Sequence, residues 1–88
     1  MHSKTVTIVN KLGIHARPAT KLAKLSSQFD ATVFVCMDDK RVDAGSIMGL
    51  MLLAGAQGKN VTVESEGLEA KEALEAICQL IEDKFDEE

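Results

Sequence analysis

Gly13-Ile14-His15-Ala16-Arg17-Pro18-Ala19 stands where an extended segment gives way to a helical one. The first turn of a helix leaves backbone N–H groups without intrahelical partners. With the positive end of the helix dipole, those donors suit an anion. Arg17 adds a permanent cation whose planar fork can grip two phosphate oxygens. Pro18 falls in the first turn, where a missing N–H costs nothing and a fixed φ suits the helix. Gly13 permits a sharp turn just before the imidazole. The stretch sets a nucleophilic nitrogen beside a place for negative charge. A lone histidine at a helix start is more often a surface or capping residue. Histidine, arginine and proline together behind a glycine make a chemical role an equal contender.

Upstream, residues 3–9 alternate, with Val6 and Ile8 on one face and Thr5, Thr7 and Val9 on the other, which predicts a half-buried strand. Downstream, Ala19, Leu22, Ala23 and Ser26 recur at helical spacing over 16–27, with Lys21 and Lys24 turned to solvent. Phe29 follows as a core plug. The β-branched and apolar run 32–37 predicts a second strand, Asp38-Asp39-Lys40 a tight turn, and 41–43 a third strand that closes a hairpin. Asp38-Asp39 has no third ligand at useful spacing, so a turn is favoured over a cation site.

Ala44-Gly45-Ser46 then breaks the chain, and Ser46 is suited to cap a short helix over 47–53. That helix has no polar face. A stripe of Ile47, Leu50 and either Leu53 or Ala54 is assigned to the sheet, which leaves Met48, Met51 and Leu52 partly exposed. Exposed methionine and leucine near the histidine loop suggest a docking surface, because methionine adapts its shape to a partner. A loop over 55–60, a strand over 61–65 and a turn at Glu66-Gly67 lead to a last helix over 69–85. Its apolar stripe runs Ala70, Ala73, Leu74, Ile77, Cys78, Ile81 and Phe85.

The 88 residues suffice for a single domain over 1–88, and 45% hydrophobic residues can build a modest core. The order β-α-β-β-α-β-α implies an α+β fold, an antiparallel sheet with helices on one face; the pattern alone leaves the strand order open. A net charge of −4 argues against nucleic-acid binding. The acidic residues gathered at the C-terminus read as a solvated tail. No charged leader with an apolar run opens the chain, and its longest apolar run is too short to span a bilayer, so neither secretion nor membrane insertion is expected. Cys36 and Cys78 lie far apart without metal-ligand spacing; both suit core positions and a reducing cytoplasm. No metal and no cofactor are expected.

Two motifs carry a resemblance. Gly13 to Ala19 resembles the active-site signature of the histidine-containing phosphocarrier family, HPr, of the bacterial sugar phosphotransferase system. Ser46-Ile47-Met48-Gly49-Leu50-Met51 resembles the second signature of that family, its regulatory serine and following helix. Length, element order and both motifs agree over essentially the whole chain. The resemblance implies an open-faced β-sandwich with sheet order 1-4-2-3. It implies that His15 takes a phosphoryl group on Nδ1 from enzyme I and passes it to EIIA-type acceptors. It places Arg17 and the backbone amides of Ala16 and Arg17 at the phosphate. It assigns Thr20, Lys24, Ser27, Ile47, Met48, Met51 and Leu52 to the partner surface, with basic Arg17, Lys21 and Lys24 near its rim. It makes Ser46 a target of an HPr kinase/phosphorylase, which acts on this serine in many relatives. The chain departs from common patterns at Gly45, often basic, and at Gly49, Lys in some relatives. The Phe85-Asp86-Glu87-Glu88 ending resembles the nitrogen-related branch of these carriers, whereas the Ser46 motif looks more like the sugar and kinase-regulated branches.

The chemistry agrees with such a role: an imidazole with a reference pKa of about 6.5 is largely neutral and nucleophilic near pH 7. Phosphoryl transfer is mostly positioning and charge stabilisation, which a partner can supply, so a carrier rather than an autonomous enzyme is expected. A monomer is expected as well. An alternative is a regulatory interaction module acting mainly through Ser46 and the 47–53 helix; a retained His15 argues against regulation alone. A small-anion-binding domain would need enclosing walls that this short loop does not offer.

Overall fold

The computed structural model describes residues 1–9, 16–53 and 58–86. Its elements are β1 (His2–Thr7), α1 (Ala16–Ser26), β2 (Thr32–Met37), β3 (Lys40–Asp43), α2 (Ile47–Met51), β4 (Asn60–Glu66), α3 (Ala70–Glu82) and a 3-10 turn (Lys84–Asp86). The strands form one antiparallel sheet in the order β1-β4-β2-β3, the order implied by the resemblance.

Register follows from the alternation of side chains along each strand. Val6 lies opposite Val61, Val63 opposite Val35, and Val35 opposite Val42. Val33, Val35, Met37, Val61 and Val63 are thereby buried together, with Val6 at the β1 side. Ile8 prolongs the pairing past β1: its N–H donates to the Lys59 carbonyl at 2.9 Å, and its own carbonyl accepts from Gly58 N at 2.8 Å. Helix α3 packs across β1, β4 and β2, α1 packs against α3 and α2, and α2 meets β3. None of the described helices covers the other side of the sheet. There Thr5 and Thr62 share a 3.0 Å hydrogen bond, and Arg41 lies 3.7 Å above the Phe34 ring while its Nε donates to Glu64 at 2.9 Å.

The predicted core stripes are buried almost as written. Ala19, Leu22, Ala23 and Ser26 of α1 and every apolar stripe residue of α3 face inward. Four side chains differ from expectation. Cys36 is half-buried on the uncovered side of the sheet rather than in the core, because it shares a row with Thr62 and Arg41. Phe29 only packs against the edge of the core. Ile47 is 40% exposed, since five helical residues turn only Leu50 fully inward. Lys21 is half-buried, its ammonium donating to the Phe85 carbonyl at 2.7 Å.

The last helix also stops earlier than its periodicity suggests. It ends at Glu82, and the Asp83 N–H closes its final turn on the Gln79 carbonyl. Lys84 and Phe85 then adopt φ of 59° and 55°. The Phe85 ring still reaches the core, fully buried, along a left-handed bend and not along a continued helix.

At the other end of α3, Gly67 has φ +122°, and a Cβ there would stand 3.0 Å from the Ala31 Cα and the Asp30 carbonyl oxygen. Beside it two hydrogen bonds tie the segments together: Glu69 N–H donates to the Asp30 carbonyl at 2.9 Å, and Asp30 N–H donates to Glu69 Oε1 at 2.8 Å. Among the described residues no helix is long and apolar enough to cross a membrane.

Candidate functional site

Gly13, Ile14 and His15 lie outside the described residues, and so does Ala54. The described part of the site begins at the first turn of α1. Ala16 and Arg17 are exposed there, and Pro18 and Ala19 are buried, so the turn is pinned from below while its outer residues remain accessible. Thr20 and Lys24 follow on the exposed side of α1, and Ser27 just beyond its end. Thr20 Oγ1 donates to the Ala16 carbonyl at 2.8 Å, and Ser27 Oγ to the Lys24 carbonyl at 2.7 Å. Such back-bonds hold both hydroxyls close to the helix surface.

Helix α2 is the neighbour of α1. Its entry is built by Asp43, whose Oδ1 accepts from Gly45 N–H at 2.7 Å and whose carbonyl accepts from Ser46 N–H at 2.9 Å. Ser46 is the expected N-cap: its Oγ accepts from Gly49 N–H at 3.0 Å, and its φ and ψ are −102° and 106°. The serine is exposed. A Cβ at Gly49 would approach Ser46 Oγ to 3.1 Å, so glycine keeps that side of the hydroxyl open. At the far end Lys40 Nζ lies 3.4 Å from the Leu52 carbonyl, a favourable charge where helix carbonyls end.

With Leu50 and Leu53 buried, the outer side of this segment is apolar. Met48 is 81% exposed, Leu52 67%, and Met51 42%. The two helices therefore bring together the first turn of α1, the capping serine, and a set of exposed methionine, leucine and isoleucine side chains. Lys21 does not join them, because its ammonium is committed to the Phe85 carbonyl. Asp38, read as a turn residue, occupies that turn with φ 56° and pairs with Lys59 at 3.2 Å.

Sequence reasoning passed over Asp43, Lys40 and Lys59. An aspartate two residues before a glycine is a recognisable turn-former, so Asp43 could have been found. The two lysines act across distant segments and carry no local signal.

The family model described as the PTS HPr component phosphorylation site matches residues 2–83. The chain belongs to the HPr family of phosphocarriers in the phosphotransferase system. Phosphocarrier protein NPr of Shewanella violacea is 49% identical over 84 residues, covering 96% of this chain and 92% of that protein. Phosphocarrier protein HPr of Neisseria meningitidis is 42% identical over 87 residues, covering 99% and 98%. A crystal structure of HPr-C-His from Thermoanaerobacter tengcongensis superposes with a TM-score of 0.93 at 44% identity, covering 100% of this chain and 99% of the other. HPr-family membership fits a carrier that depends on other proteins for catalysis.

Proposed function

We propose that His15 is the phosphoryl acceptor, that it receives the group on Nδ1 from phospho-enzyme I, and that it passes the group to an EIIA-type acceptor. In the first step the bond holding the phosphoryl group on enzyme I breaks as a P–N bond forms at His15 Nδ1, and in the second that P–N bond breaks as the group bonds to the acceptor; in each step the acceptor's displaced proton passes to the freed donor or to solvent. The amides of Ala16 and Arg17 and the Arg17 guanidinium hold the phosphate oxygens. Ile47, Met48, Met51 and Leu52 form the apolar middle of the docking surface, with Thr20, Lys24 and Ser27 beside it and Arg17 and Lys24 supplying positive charge toward acidic partners. The carrier works as a monomer in the cytoplasm. What carries this reading is the family match over nearly the whole chain, which spans the Gly13–Ala19 motif.

The test is incubation with phosphoenolpyruvate and enzyme I, followed by intact mass. An acid-labile phosphate adduct forms on the wild-type chain and is absent from His15→Ala. An adduct that survives this change refutes the assignment. Arg17→Gln keeps the adduct but slows its formation by about tenfold or more.

A second component is regulatory phosphorylation of Ser46 by an HPr kinase/phosphorylase. The exposed hydroxyl, left open by Gly49, favours it. Phosphate there adds negative charge beside the docking residues and weakens binding to enzyme I. An acid-stable adduct formed with ATP and the kinase, lost in Ser46→Ala, is the expected outcome. The interaction-module reading, in which this serine and α2 act without His15, requires instead that His15→Ala leave the biological effect intact.

A further inference from the structure

We propose that Lys84–Asp86 is a strap, latched by Lys21, that opens while the sheet stays paired and so sets how firmly α1 is seated. The inference does not depend on the phosphocarrier assignment of His15. It begins with strain. Lys84 and Phe85 are consecutive non-glycine residues at φ 59° and 55°, a region that L side chains avoid. Such a conformation persists only where its surroundings impose it.

Among the ties that impose it are two at Phe85. The Phe85 ring is fully buried, and the Phe85 carbonyl accepts a charged hydrogen bond of 2.7 Å from Lys21, a residue 64 positions earlier in the chain. The turn packs against α3 and α1. Opening gives up at least the burial of the Phe85 ring and the Lys21 hydrogen bond, and in return it releases two left-handed residues. The ladders among β1, β4, β2 and β3 involve none of these groups. Opening is therefore a local event that lies below global unfolding. Because Lys21 belongs to α1, the latch transmits the state of the strap to the helix that carries Ala16 and Arg17.

Amide hydrogen exchange read by mass spectrometry tests this on the full chain, comparing wild type with Lys21→Met and Lys24→Met. Methionine keeps the apolar stem of Lys21 and deletes its donor. The expected result is that Lys21→Met speeds exchange over 80–86 and 16–26 by about tenfold, with β2 and β4 unchanged. Lys24→Met should exchange as wild type does. The proposal is overturned if Lys21→Met leaves 80–86 unchanged, or if it accelerates the strands by the same factor.

Discussion

Ser65 carries a hydroxyl into the core, fully buried and with no hydrogen-bond partner among the described residues. A polar group in that position has lost water and gained nothing. Ser65→Ala is expected to raise stability by about 1 kcal/mol, seen as a higher urea midpoint at unchanged slope. Gly67 is the opposite case, a residue that cannot be enlarged. Gly67→Ala brings a Cβ to 3.0 Å of backbone atoms at φ +122° and is expected to cost about 2–3 kcal/mol by the same measurement. The Cys78 thiol is held above its ordinary value of 9.0, first by burial, with Glu82 adding and Lys4 opposing. Below pH 9.0 both folded and unfolded chains keep the proton, and the stabilising effect is complete. As pH rises above that value the unfolded chain ionises first, so stability falls until the folded thiol also gives up its proton. Urea titrations at pH 8 and 10, about one unit either side of the ordinary value, should show a larger loss for the wild type than for Cys78→Val.

Among the elements, α2 is the one whose sequence and surroundings pull in different directions. Five residues make a helix too short to sustain itself, and most of its side chains are apolar and uncovered. Its order comes from Ser46, from Asp43 at its entry and from the buried Leu50 and Leu53. Ser46→Ala removes the cap and is expected to cost about 1 kcal/mol in thermal or urea denaturation. Replacing Met48 and Leu52 together by Ser should shift stability by no more than about 0.5 kcal/mol. The same change should slow phosphoryl transfer from phospho-enzyme I by about tenfold, the mark of a surface kept apolar for a partner. Helix α3 shows the limit of periodicity as a signal. Phe85 falls four residues after Ile81, on the same stripe, and its burial was legible from that spacing. The path by which it arrives was not, because a left-handed bend held by Lys21 leaves no trace in the pattern.

At the level of the whole molecule, β1 and β4 were legible from alternation, β2 from its β-branched run, β3 from the turn before it, α1 and α3 from their stripes and α2 from its capping serine, but which strand lies beside which was not. Composition and period say what faces inward; they do not say that β1 pairs with β4 rather than with β2. That order came from the resemblance, through two motifs at fixed spacing, and the sheet agrees with it. In the Gly13–Ala19 motif glycine, histidine, arginine and proline suggest anion chemistry from residue type alone, whereas the family, which the family match shows, came from the resemblance. Cys36 was misplaced because a run of apolar strand residues does not reveal which of its two sides is covered.

That uncovered side has a practical consequence. Cys36 stands half-exposed among polar cross-strand pairs, on the reverse of the sheet from α1 and α2. A maleimide fluorophore or a surface tether attached there would leave both helices facing outward. The protein therefore comes with its own mounting point, from which encounters at the opposite side could be timed one molecule at a time.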